Sequence, residues 1–160
     1  MTIKIGDKIP SVKLKHMTGD GPKEAMSDAL FAGKKVVLFA LPGAFTPTCS
    51  AKHVPGFVAN FDALSAKGVD LIACLSVNDA FVMGAWGKDQ KAEDKVLMLA
   101  DGNADFTKAV GLDADFTGYG MGIRSQRYAM LIEDGVVKML NVEKPGAFEV
   151  STAETVLAAL

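Results

Sequence analysis

The chain has 160 residues, of which 49% are hydrophobic and 22% are charged, and its formal net charge is −2. A chain of this length can bury a sizeable core, so we expect one globular domain over residues 1–160. The slightly acidic balance argues against nucleic acid or an anionic membrane as a partner, because either would require a basic face. No apolar run approaches the roughly 20 residues that span a bilayer. The N-terminus lacks the apolar region of a signal peptide, and we therefore expect a cytoplasmic protein.

The first third of the chain predicts a strand, a helix and a second strand. Residues 12–17 alternate apolar and polar side chains, which is typical of an edge strand. A helix is expected within residues 27–35, with Ser27 as its N-cap and Gly33 as its stop. The apolar run over residues 35–41 is continuous, and such runs suit a central strand that is covered on both faces.

The middle of the chain alternates helices and strands. A long helix is expected from His53 to Gly68, with Pro55 and Gly56 predicting a kink or a break. Three further elements follow: a strand over 69–78, a helix capped by Asp79, and a strand over 95–101. A short helix over 104–111 closes this part of the chain.

The last quarter of the chain predicts a hairpin and a terminal helix. Residues 127–143 form two apolar runs around an Asp-Gly pair at 134–135, which is a strong hairpin signal. Residues 151–160 are expected to form a helix that begins with a capping box from Ser151 to Glu154.

Taken in order, these elements predict an α/β fold. Alternation followed by a late hairpin favours a mixed central sheet with helices on both faces, as in the thioredoxin-like architecture. A flavodoxin-like sheet is the alternative, but the hairpin would be out of place in an all-parallel sheet.

One of the two cysteines follows the first apolar strand directly. Residues 42–49 read PGAFTPTC, and a helix is expected to begin near the cysteine. Thr46 or Thr48 can cap that helix, and Pro47 suits its first turn. Cys49 would then lie at the positive end of the helix, where an anion is favoured. Reactive cysteines are found in such positions, so Cys49 is a candidate nucleophile.

Two other interpretations of this cysteine remain open. Free cysteine is often a buried core residue, and Cys49 fits that role by residue type alone. A zinc site is the other alternative, because His53 lies four residues after Cys49. The chain has only two cysteines and two histidines, so few ligands remain to complete a tetrahedral set. We expect no metal here, and we expect His53 to lie at the surface or to pack against a helix.

The PGAFTPTC motif closely resembles the active-site signature of the peroxiredoxins, PxxxTxxC. The longer segment PGAFTPTCSAKHVPGF is similar to the subgroup that holds the plant type II, atypical mammalian and bacterial glutaredoxin-linked peroxiredoxins. The likeness continues through SVNDAFVMGAW, LADG, RSQRYAMLIEDG and NVE, and so covers nearly the whole chain. The resemblance implies a thiol-dependent peroxidase that reduces hydrogen peroxide and alkyl hydroperoxides without a metal or a bound cofactor.

The resemblance also implies roles for individual residues. Cys49 would be the peroxidatic cysteine, which becomes a sulfenic acid. The Thr46 hydroxyl would bond the thiolate and the peroxide, and Pro42 would shield the pocket. Arg127 would be the distant arginine that reaches the cysteine, with Arg124 as the second candidate. Without the resemblance, Arg127 would be interpreted as a solvated residue at a strand edge.

The second thiol of a peroxidase cycle is expected to come from another molecule. Cys74 lies in an apolar strand and is expected to be a core residue. The mammalian relative carries a C-terminal resolving cysteine, and the corresponding position here holds Ser151. The resemblance therefore implies glutathione with glutaredoxin as the reductant, or thioredoxin as the alternative, and it implies a homodimer.

Two other functions are compatible with a reactive cysteine. A thiol–disulfide oxidoreductase normally carries a CxxC pair, which this chain lacks. A peroxide-sensing redox switch or partner-binding module is the second alternative, in which oxidation of Cys49 changes an interface and turnover is incidental.

Overall fold

A mixed β-sheet of seven strands forms the centre of the molecule. The computed structural model describes all 160 residues. The strands are β1 (Lys13–Thr18), β2 (Gly21–Met26), β3 (Lys35–Ala40), β4 (Leu71–Ser76), β5 (Leu97–Ala100), β6 (Asp113–Asp115), β7 (Ile123–Ser125), β8 (Tyr128–Glu133) and β9 (Val136–Val142). The α-helices are α1 (Ser27–Phe31), α2 (Val54–Ala59), α3 (Phe61–Ala66), α4 (Ala80–Asp89), α5 (Asp105–Ala109) and α6 (Ala153–Ala158). None of these helices combines the length and apolar character needed to cross a bilayer.

The order of strands in the central sheet is β2-β1-β5-β4-β3-β8-β9, while β6 and β7 form a separate two-stranded sheet. Strands β3, β4 and β5 are parallel, and β1, β2, β8 and β9 pair antiparallel with their neighbours. This mixed sheet confirms the predicted thioredoxin-like architecture and rules out the all-parallel alternative.

The packing of both faces of β3 explains why its sequence is continuously apolar. Val37 and Phe39 pack into a hydrophobic cluster that includes side chains of α2, α3, α4 and α6. Val36 and Leu38 point to the opposite face, where the cluster includes Phe31 of α1 and side chains of α5. Successive residues of a strand alternate between faces, so a strand covered by helices on both sides has no polar position to fill.

The hairpin between β8 and β9 forms as predicted. Asp134 and Gly135 both have positive φ angles, of 48° and 78°. A two-residue hairpin turn of this kind requires positive φ at both central positions, which explains the Asp-Gly pair. Strand β8 also pairs with β3, so the hairpin completes one side of the central sheet.

The N-terminal predictions need two corrections. Strand β1 is not an edge strand, because it lies between β2 and β5, and β2 forms the edge. The sequence of β2 is largely exposed and lacks an alternating pattern, so it was missed. Ser27 is the first residue of α1 rather than its N-cap, which is Met26. The Ser27 hydroxyl donates to the Pro10 carbonyl and accepts from the Val12 N–H instead.

The helical segment after β3 is irregular at two places. It begins at Pro47, passes through a π-helical turn over Cys49–His53, and continues as α2. The break before α3 lies at Asn60, where the backbone leaves helical geometry. Within α2, Pro55 has no N–H to donate to the preceding turn, and the π-turn lies directly before it. Single π-turns of this kind occur often at functional sites.

Of the N-caps predicted for α4 and α6, the first is correct and the second is wrong. Asp79 caps α4 as expected, with its side chain accepting from the Val82 N–H at 2.8 Å. The C-terminal helix is instead capped by Thr152, which accepts from the Thr155 N–H at 3.1 Å. The Ser151 capping box is therefore wrong by one residue, and Ser151 is free to make other contacts.

Candidate active site

The cysteine loop follows β3 at the carboxyl end of the parallel strands. The helix begins at Pro47, which places Cys49 in its first turn, as the sequence predicts. The Cys49 side chain is fully buried. Neither expected cap forms, because the Thr46 hydroxyl donates to the Gly43 carbonyl at 2.7 Å and Thr48 makes no side-chain bond. The loop is therefore folded on itself rather than held by a threonine cap.

Asn78, which follows the end of β4, holds this loop in place. The Asn78 side-chain oxygen, just after β4, accepts from the Ala44 N–H at 3.0 Å and from the Ser76 hydroxyl at 2.6 Å. Phe45 adopts a φ of 61°, which is rare for a bulky residue. Such conformations persist only where surrounding contacts enforce them, and the bonds on either side of Phe45 supply those contacts.

Arg127 reaches the sulfur of Cys49. Its Nη2 donates to Cys49 Sγ at 3.1 Å, although the two residues are 78 positions apart in the chain. The pairing of β3 with β8 explains this proximity, because Tyr128 lies opposite Ala40. Arg127 precedes Tyr128, so the sheet register brings it beside the loop that follows Ala40.

The other end of the Arg127 guanidinium binds His53. Arg127 Nη1 lies 2.8 Å from His53 Nδ1, and His53 Nε2 lies 3.0 Å from the Ser151 carbonyl oxygen. A guanidinium can only donate, so Nδ1 must accept and the ring proton must reside on Nε2. Burial, together with the Arg127 charge, lowers the pKa of His53 to about 3. The imidazole is therefore neutral at physiological pH.

His53 is a residue whose role sequence reasoning missed. The expectation that it could lie at the surface is wrong, because it is fully buried. Its ring is surrounded by the rings of Phe39, Phe57 and Phe148, with centroids 4.9, 5.8 and 5.1 Å away. The four-residue spacing from Cys49, which puts both residues on one face of a helix, is the signal in the sequence that connects His53 to the site.

Glu143, just after β9, was also missed. Its Oε2 accepts from the N–H groups of Glu149, Val150 and Ser151 at 2.8, 2.9 and 2.8 Å, and from the Ser151 hydroxyl at 2.7 Å. Burial acts to raise the pKa of Glu143, but these hydrogen bonds outweigh it and hold the pKa below its usual range. The carboxylate therefore organises the segment from 143 to 151.

Arg124, the second candidate for the distant arginine, binds the loop rather than the sulfur. Its Nη1 donates to the Pro42 carbonyl at 3.3 Å and its Nε donates to the Met121 carbonyl at 2.9 Å. A Cβ at Gly43 would lie 2.9 Å from this Nη1, so a larger residue there would displace the Arg124 guanidinium. Arg124 thus links the β6–β7 sheet to the cysteine loop.

A cleft of about 800 Å³ opens beside these residues. Three of the predicted site residues line it, namely Pro42, Thr46 and Arg127. Phe116 and Tyr119, from the connection between β6 and β7, form another part of its wall. The structure thus brings all four predicted site residues to one place, with the Arg127 guanidinium linking the cleft to the buried sulfur.

The second cysteine has a different environment. Cys74 lies in β4, is fully buried, and packs in the same hydrophobic cluster as Cys49. No hydrogen-bond donor contacts its sulfur within the chain. Burial raises the pKa of the Cys74 thiol well above its usual value. The prediction that Cys74 is a core residue is confirmed.

This arrangement suits a nucleophilic sulfur whose reaction partner releases an anion. Arg127 is the side-chain donor to the sulfur, and the Thr46 hydroxyl, which the sequence assigned to the thiolate, instead gives its proton to the Gly43 carbonyl and makes no bond to Cys49. Fixed donors stabilise charge that develops in a transition state. No group of three or more His, Cys, Asp or Glu side chains is arranged to hold a metal ion.

Comparison with known proteins places the chain in a family. The Redoxin family profile matches residues 4–157. The chain is 54% identical to the chloroplastic peroxiredoxin-2E of Arabidopsis thaliana, over 99% of this chain and 70% of that protein. It is 47% identical to peroxiredoxin-2B of the same plant, over 99% and 98% of the two chains. The crystal structure of reduced Prx3 from Vibrio vulnificus in complex with hydrogen peroxide superposes with a TM-score of 0.96, at 59% identity and 99% coverage of both chains.

Proposed function

The chain belongs to the redoxin family and, within it, to the peroxiredoxin peroxidases, and from this premise we propose that Cys49 is the residue that attacks the hydroperoxide. The observation that carries this assignment is the 3.1 Å contact between Arg127 Nη2 and Cys49 Sγ. A guanidinium that donates to sulfur favours the thiolate, which is the nucleophilic form of cysteine. Cys74 has no such donor.

The proposed chemical step is a displacement at oxygen. The Cys49 thiolate attacks the terminal oxygen of ROOH, an S–O bond forms and the O–O bond breaks. The attacked oxygen keeps its proton, so Cys49 becomes a sulfenic acid, and the leaving alkoxide takes a proton from solvent to give ROH. Two electrons pass from sulfur to the peroxide.

Acidity of the thiol cannot account for a fast peroxidase by itself. A free thiol is already about 3% ionised near neutral pH, so complete ionisation raises the reactive fraction only about 30-fold. Lowering the pKa also weakens the nucleophile, which removes most of that gain. We therefore assign the larger effect to donors that face the leaving oxygen, namely Arg127 and the backbone N–H groups around Cys49, with Pro42 excluding water from the pocket. The Thr46 hydroxyl gives its proton to the Gly43 carbonyl, and its oxygen is left to accept a hydrogen bond from the peroxide.

For the reductant we propose glutathione with glutaredoxin, with thioredoxin as the alternative. Glutathione would condense with the sulfenic acid to give a mixed disulfide and water, and a second thiol would release Cys49. The absence of an internal partner supports an external thiol: Cys74 is enclosed in the core and residue 151 is serine. The substrates would be hydrogen peroxide and small alkyl hydroperoxides, for which the cleft has ample room.

Two further parts of the proposal concern assembly and location. We propose a homodimer with the active-site loops near the contact, which the exposed aromatic side chains Phe45, Phe81 and Tyr119 support, at 54%, 68% and 82% exposure. We also propose a cytoplasmic location, because both cysteines are free thiols, which a reducing compartment maintains.

One experiment tests this function against the rival redox switch. Peroxide consumption is followed with glutathione, glutaredoxin and glutathione reductase, and separately with a thioredoxin system. We expect many turnovers per Cys49 with the first system. A single turnover followed by a stall with both systems would favour the switch. Intact mass after one equivalent of peroxide is expected to show a sulfenic acid or a glutathione adduct, and a dominant Cys49–Cys74 disulfide would contradict the external-thiol mechanism.

A further inference from the structure

The Glu143 carboxylate is the best-connected acidic group of the chain. A single oxygen, Oε2, accepts three consecutive backbone N–H groups and one hydroxyl, all within 2.9 Å. An ionised carboxylate suits such a set of donors, because each oxygen has only acceptor capacity and charge-assisted bonds are the stronger ones. Glu143 is only 7% exposed, so solvent does not replace these bonds.

Two of the four bonds come from Ser151, which also contacts His53. The Ser151 N–H and hydroxyl donate to Glu143, and its carbonyl oxygen lies 3.0 Å from His53 Nε2. The residue is fully buried. Its peptide groups are therefore fixed on one side by the carboxylate and on the other by the imidazole.

The position of the Ser151 carbonyl determines which ring nitrogen of His53 carries the proton. With the proton on Nε2, Nδ1 presents a lone pair to Arg127 Nη1 at 2.8 Å. The charged groups that act on the ring are Arg127 and Glu143, and the titratable thiol of Cys49 lies on the same helical segment. The other neighbours of the ring, from β3, α2 and the 143–151 segment, are phenylalanines. A protonated imidazole would place two cations in contact and would remove the acceptor for Nη1.

Glu143 holds Arg127 by two additional routes. The Glu143 N–H donates to the Arg127 carbonyl at 2.9 Å, which fixes the main chain of the arginine. Phe148, in the segment that the carboxylate organises, lies under the guanidinium at 5.7 Å from its ring centroid. Apart from Cys49, the guanidinium binds His53 and lies over Phe148, and both of these residues adjoin the segment that Glu143 orders.

We propose that Glu143 is a positioning residue for the peroxidase reaction: its carboxylate fixes the Ser151 carbonyl, which fixes the tautomer of His53 and thereby aims Arg127 at Cys49. This inference rests on the proposed function of Cys49 and Arg127, but its structural part does not. Loss of the carboxylate leaves the Ser151 carbonyl free to move, and His53 is then able to adopt the other neutral tautomer. Arg127 Nη1 then loses the lone pair of His53 Nδ1 as its acceptor, and the guanidinium is no longer held toward Cys49.

The test uses Glu143→Ala, the conservative variant Glu143→Gln, and Glu149→Gln as a matched control. The Glu149 side chain is exposed and makes no bond, so the control removes the same charge from the same segment and leaves the backbone intact. Ring ¹⁵N spectra of His53 are recorded against pH, with His16→Gln as the background that leaves one histidine. Single-turnover oxidation of Cys49 is measured over the same range.

In the wild type and in Glu149→Gln we expect one His53 tautomer, with Nε2 protonated, and no imidazole titration down to about pH 5. In Glu143→Ala we expect a mixture of the two neutral tautomers and still no imidazole titration above about pH 5, because the Glu143 charge and the Ser151 hydrogen bond both act to raise the pKa of His53. The rate at neutral pH should fall about tenfold or more, because the donor is misplaced. Glu143→Gln should recover part of this loss, since its amide oxygen still accepts.

The outcomes separate this inference from the proposed function. A wild-type protein that does not react with peroxide overturns the function, while the spectra still test the positioning role. A reactive wild type together with an unchanged His53 tautomer and an unchanged oxidation rate in folded Glu143→Ala overturns the positioning role. If Glu143→Ala does not fold, Glu143→Asp decides the question by the same readouts, because its shorter side chain withdraws the carboxylate from the Ser151 donors. A wild-type tautomer and a wild-type oxidation rate in Glu143→Asp would overturn the positioning role.

Discussion

The two cysteines of this chain are equally buried and differ in their polar neighbours. Cys49 and Cys74 pack in the same hydrophobic cluster, and neither has measurable exposure. Cys49 lies in the first turn of a helix and receives a hydrogen bond from Arg127. Cys74 lies in the middle of β4, where burial raises the pKa of its thiol. Burial by itself therefore does not make a thiol reactive, and the donor that accompanies burial makes the difference.

The largest difference in activity is expected between variants that replace one or the other of these two cysteines. Cys49→Ser should lower peroxide turnover by at least about 10³-fold, because the nucleophile is lost. Cys74→Ala should keep turnover within about twofold and lower the free energy of unfolding by about 1 kcal/mol, because a small core cavity opens. Steady-state assays and urea denaturation check both. A strong loss of turnover in folded Cys74→Ala would contradict the claim that Cys49 reacts with peroxide and Cys74 only packs in the core.

Arg124 and Arg127 also differ in their contacts, and replacing Arg124 is expected to have a smaller effect on the rate. Arg124 contacts the Pro42 and Met121 carbonyls, and no hydrogen bond joins it to sulfur. Arg124→Ala should therefore lower the rate of Cys49 oxidation by about tenfold, through a looser loop, without removing the donor to sulfur. Pre-steady-state oxidation, followed by intrinsic fluorescence, measures this rate. A loss as large as that of an Arg127 variant would mean that Arg124 contacts the reacting atoms.

The smallest effect concerns the pH dependence of stability at His53. The imidazole pKa is about 3 in the folded protein, against about 6.5 in the unfolded chain. Between these values the unfolded chain binds a proton that the folded protein does not bind. The free energy of unfolding should thus fall as pH is lowered, by up to about 1.4 kcal/mol per pH unit from this group.

The matched variant for this prediction is His53→Gln. Its amide can accept from Arg127 and donate to Ser151 without titrating. The stability difference between wild type and variant, from urea denaturation at several pH values, should change in favour of the variant as pH falls. Parallel curves for the two proteins would show that His53 is not held neutral.

Much of the scaffold could be predicted because its determinants are local. The two-sided apolar run of β3, the Asp-Gly hairpin and the position of Cys49 after Pro47 each depend on a few adjacent residues. The short strands β2, β6 and β7 were missed, because exposed or three-residue strands carry little periodic signal.

The site was harder to predict because its contacts cross the chain. Arg127 and Cys49 are 78 residues apart, and His53 and Ser151 are 98 apart. Nothing in the sequence near Arg127 distinguishes it from a solvated arginine, and only the family resemblance singled it out. The tautomer of His53 and the four bonds to Glu143 depend on where the 143–151 segment folds back, which no local pattern encodes.

The central claim is that Arg127 stabilises the transition state, beyond its effect on thiolate content. The most direct measurement is the second-order rate constant of Cys49 with hydrogen peroxide in wild type and in Arg127→Gln, each divided by the thiolate fraction from ultraviolet absorbance. The corrected constant is expected to fall by about 10²-fold or more in the variant. Equal corrected constants in the two proteins would contradict the claim and leave Arg127 with no role beyond ionising the thiol.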